Sequence, residues 1–172
     1  MRAQLAEGGA RALGVGRAAT ALEGEAWGEF NPATWAALRA PTADLLASQA
    51  FGLDALRLVA LAAAYPTPYA TLAGNARTYG GEGYRETRLG LGAARAVPIS
   101  ATRRLGLGLQ VQLHSVSIEG FGSASTVSVS AGTQVEVLPG LTAGLHARNV
   151  SRVGRSEEDA LTSPLSTAPA LA

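Results

Sequence analysis

Cysteine is absent from the 172 residues. That removes any disulfide framework and any cysteine metal site. Lysine is absent too, and all 14 basic residues are arginine, which reads as a bias of coding composition. The formal net charge is +1, so there is no electrostatic ground for a nucleic-acid partner. No run of eighteen apolar residues occurs, which excludes a transmembrane helix. The most apolar stretch, Leu56–Ala64, is too short. Met1–Gly9 carries no secretory signal. For an exported protein this leaves a start internal to a longer gene or a signal already removed; otherwise the chain is not exported.

What the chain has in place of long apolar runs is alternation. Leu105–Gln112 reads Leu-Gly-Leu-Gly-Leu-Gln-Val-Gln, and side chains of a strand alternate between two faces. The same pattern returns at Val127–Val137 and Leu141–Arg148. Strands are predicted at Thr42–Ala50, Ala55–Tyr65, Tyr69–Thr78, Tyr84–Val97, Arg103–Ile118, Ser125–Leu138 and Leu141–Asn149. Most have the length of membrane-spanning strands, about 9–11 residues, rather than the ~5–6 of ordinary globular ones. Short connections such as Leu138-Pro139-Gly140-Leu141 predict an antiparallel meander. Upstream, Pro32 is placed to open a short helix over Ala33–Arg39, and Gly14, Gly16 and Gly24 mark turns.

One face of these strands is leucine and valine. The other is small or polar: Gly106, Gly108, Gln110, Gln112 and His114, then Ser128, Ser130, Gly132, Gln134 and Glu136, then Thr142, Gly144, His146 and Arg148. A solvent face carries more charge than this. The fold class is therefore all-β: an antiparallel meander forming part of a transmembrane β-barrel, with its apolar face in lipid and Gln110, Gln112, His114, Gln134, Glu136, His146 and Arg148 lining the lumen. Phe51, Tyr65, Tyr69, Tyr79, Tyr84 and Phe121 fall at strand ends, as an aromatic girdle requires. Taken alone, alternation favours a soluble β-sandwich with one face on a core; the small, uncharged second face and the aromatic placement turn the reading to lipid.

Motifs for chemistry are sparse. His114 and His146 lack a third ligand at metal-binding spacing. Gly120–Ser125 has no strand-to-helix step after Ser123, so it is read as a loop rather than a nucleophile elbow. Gly9–Gly16 lacks the Lys-Ser/Thr of a phosphate loop. Glu23, Glu25 and Glu29 cluster beside Trp27 and Phe30, and Glu86 and Arg88 share a face. Arginine costs about 2–4 kcal/mol on a lipid face at mid-depth, so Arg57, Arg77, Arg88 and Arg95 are expected to point inward or lie near strand ends. No catalytic residue, cofactor or metal is assigned.

The opening carries a resemblance. Gly9-Ala10-Arg11-Ala12-Leu13-Gly14-Val15-Gly16, followed by Glu25-Ala26-Trp27-Gly28-Glu29-Phe30-Asn31-Pro32-Ala33, resembles the start of the PorV/PorQ family of outer-membrane β-barrels, which are related in fold to the long-chain fatty-acid transporter FadL. Gly14, Gly16, Asn31, Pro32 and Ala33 carry the motif match, and likeness extends over most of residues 8–150. Arg17, Phe30 and Thr34-Trp35 depart from it. The resemblance implies a bacterial outer-membrane location and lipid as a partner. It also implies a non-enzymatic role beside secreted proteins or secretion-system components of type IX kind. The FadL likeness implies the alternative of a transporter for hydrophobic small molecules, with residues 1–41 as a plug in the lumen. Residues 42–150 would be barrel strands, and 151–172 a charged loop leading to the next strand. Family members are longer, and about seven strands would leave two open edges where single-chain barrels use an even number of eight or more. The chain is therefore expected to be a fragment.

Overall fold

A computed structural model describes residues 8–100 and 103–156. One short helix, α1 (Ala10–Gly14), is followed by an irregular segment and a 3-10 turn at Pro32–Ala37. Seven strands then run β1 (Thr42–Gln49), β2 (Arg57–Pro66), β3 (Thr71–Gly80), β4 (Tyr84–Pro98), β5 (Arg104–Ile118), β6 (Gly122–Leu138) and β7 (Leu141–Ser156). They pair in sequence order as one antiparallel sheet, a meander curled into a half-barrel. β1 and β7 are its two edges.

The strand and turn positions follow the alternation closely, with three corrections. The seventh strand does not stop at Asn149: it stays paired with β6 to Ser156, where Ala124 faces Ser156. An irregularity between Val129 and Ala131 absorbs the break in pattern. The charged loop expected from 151 therefore does not begin there, and 157–172 lie outside the described residues. The helix expected at Ala33–Arg39 is a tighter turn, Pro32–Ala37. Asn31 caps it, its side chain accepting from Ala33 N at 3.0 Å, and Pro32 supplies a fixed φ at the start. Helix α1 went unread because its Ala-Arg-Ala-Leu-Gly is flanked by glycines.

Residues 8–38 lie in the concavity. The concave face is built small to receive them. A Cβ added at Gly92 would meet the Trp35 ring, at Gly106 Ala33 O, at Gly108 Pro32 and Ala33, at Gly132 Asn31, and at Gly144 Thr20 O. These glycines on β4–β7 are clearance for the segment's backbone. On β2–β4 the same role falls to alanine: Ala60, Ala62, Ala64, Ala73 and Ala94 pack against Ala26, Trp27, Trp35 and Leu38 as the apolar core. Trp35 is fully buried at 0% exposure. Burying an indole of roughly 150–250 Å² at about 25 cal/mol/Å² contributes about 4–6 kcal/mol.

The convex face is apolar and uncovered among the described residues. Leu45, Leu61, Leu91, Leu109 and Leu145 are each more than half exposed. Hydrogen-bonding register arranges this face in rows. Leu61, Ala76, Leu89, Leu113 and Val127 sit side by side across β2–β6, and the next row is Ala63, Gly74, Leu91, Val111 and Val129. At one end, here called upper, the chemistry changes within one row: Thr78, Thr87, Ser115 and Ser125 are neighbours across β3–β6. Gln49 faces Arg57, and Ser117 faces Ser123. These residues form a polar collar above the apolar belt. Tyr65 and Tyr69 are exposed at the lower end, and Phe51 and Phe121 at the upper. Tyr79 and Tyr84 do not join them. They share the concave face with Arg77 and Glu86, because Tyr79 pairs directly with Glu86 in the register.

Candidate functional site

The concave face and the segment seated on it form the one extended internal interface among the described residues. Its polar contacts are specific. Arg77 Nη2 lies 3.0 Å from Glu29 Oε2, and the two side chains are 2% and 4% exposed. The same guanidinium donates to Gly8 O at 3.2 Å and stacks 5.5 Å from the centre of the Trp27 ring. Gly8 N donates to Glu29. Asn75 Nδ2 donates to Trp27 O at 3.1 Å, and Asp44 accepts from Ala26 N at 2.7 Å. A buried arginine on β3 is tolerable because a carboxylate, a carbonyl and a ring receive it.

Asn31 is the pivot of the segment. It is 1% exposed and its amide donates to Thr20 O at 2.7 Å and Thr133 O at 2.9 Å. One side chain therefore caps the 3-10 turn, ties two parts of the segment together and anchors both to β6. Pro32 and Ala33 are buried beside it. Of the other motif residues, Gly14 ends α1 and Gly16 sits at a positive φ of 64°, where only glycine is unstrained. Neither touches the wall, since a Cβ on either would meet no atom within 4 Å.

The residues expected on the lumen side separate into groups. Gln110 is buried at 1% exposure under the segment, and its amide makes no hydrogen bond among the described residues. Gln134 is buried, with Nε2 donating to Glu23 Oε1 at 2.6 Å. Gln112 and His114 are half-buried on the concave face, and His146, opposite Gly132, lies beside the segment. Glu136 and Arg148 are exposed. Glu136 accepts from Gly140 N at 3.0 Å and so braces the β6–β7 turn. His114 and His146 are not brought together, and no group of three His, Cys, Asp or Glu able to hold a metal occurs among the described residues.

Above the segment the concave face holds a second polar cluster. Glu86, itself buried, is bonded by the Tyr84 hydroxyl and lies 3.3 Å from His114 Nε2. Its carboxylate is therefore directed to Tyr84 and His114, and Arg88 is its neighbour on the same strand face. Within the segment, burial raises the Glu25 carboxyl from its ordinary value; Arg11, 4.0 Å away, opposes this and Asp44 adds to it. Sequence reasoning noted Glu29 and Arg77 singly and missed their pairing. The available signal was an arginine in the middle of a strand otherwise suited to an apolar setting, which needs an acidic partner from elsewhere.

The fold and site thus define a class: a curled antiparallel half-barrel whose concavity is filled by its own amino-terminal segment. No family model, no curated protein and no solved structure matches the chain.

Proposed function

We propose that the chain forms wall and plug of an outer-membrane β-barrel of PorV/PorQ type, a non-enzymatic component that works with exported proteins or their secretion apparatus. The observation that carries the membrane part is the convex belt. Between the collar at Ser115 and the lower edge at Leu105 on β5, the outward residues are Leu113, Val111, Leu109 and Leu107. Ten residues at ~3.4 Å span about 34 Å along the strand, or about 24 Å of depth at a 45° tilt. Outer-membrane barrels carry an apolar band of about 25 Å.

The belt also slants across the strands. Its upper edge lies at Gln49 and Arg57 on β1 and β2 but one row lower, at Ser115 and Ser125, on β5 and β6. Its lower edge falls from Tyr65 and Leu72 to Leu105 and Val135, two rows further down. A level slab cutting tilted strands produces that slant. The soluble β-sandwich alternative needs a second layer over Leu107, Leu109 and Leu145, and among the described residues that face is open.

The secretion assignment rests on the motif residues. Asn31, Pro32 and Ala33, through which the chain resembles the family, are the residues that seat the plug. A second reading, a FadL-like transporter of hydrophobic small molecules, is favoured by a groove of about 480 Å³ on the convex side, walled by Tyr65, Leu72 and Leu91 and floored by Ala63 and Gly74. Carbonate washing of membranes from cells that make the protein tests the membrane claim. The chain is expected to stay in the pellet until detergent is added, and its release into the wash would end the proposal. Crosslinking then separates the two roles: a captured exported polypeptide supports secretion, and extracted hydrocarbon or fatty acid supports transport.

A further inference from the structure

We propose that the lower mouth of the concavity binds a phosphate group carrying a hydroxyl donor. A cavity of about 590 Å³ opens there, between the Pro32–Ala37 turn and the lower ends of β4, β5 and β6. This volume is within the range of small-ligand sites, about 300–1,000 Å³. Arg39, Arg103 and Arg104 line it. None of the three guanidinium groups has an ion pair or a hydrogen bond among the described residues. Two carboxylates also line it, Glu23 held by Gln134 and Glu136 by Gly140 N, so three guanidinium groups face two carboxylates and cation is in excess. Small side chains of the turn and Gly106 on β5 leave the floor open. Three planar forks on residues lining one cavity suit the oxygens of a phosphate better than a single point charge.

Gln134 adds the second requirement. Its Nε2 donates to Glu23 at 2.6 Å, which fixes the orientation of the amide. Its Oε1 is then enclosed at the cavity wall with no donor. An oxyanion does not satisfy an acceptor, but a hydroxyl does. A glycerol phosphate or sugar phosphate supplies both groups. The source is either a soluble ester or a lipid headgroup. The exposed Val97, Ile99 and Leu138 beside the mouth bring headgroups within reach, a route that rests on the membrane reading above.

The test uses the full chain in uncharged detergent. Calorimetric titration with glycerol 3-phosphate is expected to give saturable one-to-one binding. R103A/R104A is expected to weaken it at least ~10-fold, the scale of one charge-assisted hydrogen bond, with the unfolding midpoint unchanged because both side chains are exposed. The conservative R103K/R104K should fall between, keeping charge and losing the fork. Sulfate, which has no hydroxyl at neutral pH, should bind at least ~10-fold more weakly. Competition then names the source. Vesicles of equal phosphatidylcholine and phosphatidylglycerol, displacing the ester where pure phosphatidylcholine does not, assign the headgroup; failure of both assigns a soluble ester. Absence of saturable binding overturns the proposal, as does binding unchanged in R103A/R104A. Sulfate binding equal to the ester overturns the role of Gln134. Binding in detergent needs no bilayer, so its failure is distinct from failure of the membrane reading.

Discussion

Replacing Leu109 with arginine separates lipid from water as the neighbour of the belt. Leu109 is 61% exposed and sits at the centre of the outward series Leu105–Leu113, between Ala93 on β4 and Ala131 on β6. Six rises along the strand separate it from Ser115 in the collar. At ~3.4 Å each they cover about 20 Å of strand, or about 14 Å of depth at a 45° tilt. An arginine at mid-depth costs about 2–4 kcal/mol, and one at the interface about 0–1. On a wetted surface, the same exposed Leu→Arg change stays within about ±0.5 kcal/mol. L109R is therefore expected to lower stability by about 2–4 kcal/mol, which is about 30- to 900-fold in the folding constant, and S115R by at most about 1. The assay is urea unfolding of the protein folded into vesicles, followed by the fluorescence of Trp27 and Trp35, both of which are buried between segment and wall. A neutral L109R, or an S115R as costly as L109R, would refute the reasoning.

Other perturbations address the amino-terminal segment. R77M leaves the buried Glu29 carboxylate without its guanidinium and should cost about 3–5 kcal/mol; trypsin should then cut faster at Arg11 and Arg17, and an unchanged cleavage rate would contradict the anchor. Q110M removes an enclosed amide that makes no hydrogen bond and should raise stability by about 1–2 kcal/mol, read as a higher urea midpoint; a loss would mean that ordered water satisfies the amide. Glu25 has its carboxyl lifted by burial, so the docked state binds its proton more readily than the released one. Docking should be strongest below the ordinary carboxylate range and weaken as pH rises through the raised value. E25Q should flatten that dependence and slow trypsin cleavage at neutral pH, whereas an unchanged pH profile would remove Glu25 as its source.

The sheet was legible because its information is local. Alternation at Leu105–Leu113 and Val127–Val137 states both strand and face, and Pro139-Gly140 states the turn between neighbours. Even the depth of the belt is written there, in the change from Leu113 to Ser115 and from Ser125 to Val127. The seating of the amino-terminal segment was legible only in outline. Gly106, Gly108 and Gly132 read as small residues of the inner face, but that they clear the backbone of a segment far away in the chain is not visible locally. The Glu29–Arg77 pair and the three bonds of Asn31 are non-local in the same way. Tyr79 and Tyr84 mislead by position, because closeness to a strand end does not reveal which face a ring takes. Strand pairing beyond Asn149 was hidden by the charged residues Arg152 and Arg155, which the register sets opposite Ser128 and Ser125.

The native absence of cysteine makes the decisive measurement clean. Single cysteines placed in turn at each position from Leu105 to Leu113, in the protein folded into vesicles, carry a fluorophore tested against a quencher attached to lipid tails. Leu105, Leu107, Leu109, Val111 and Leu113 are predicted to be quenched, most strongly at Leu109, with Gly106, Gly108, Gln110 and Gln112 spared. Uniformly weak quenching, with the odd positions open to a water-borne quencher or closed to both, would contradict it.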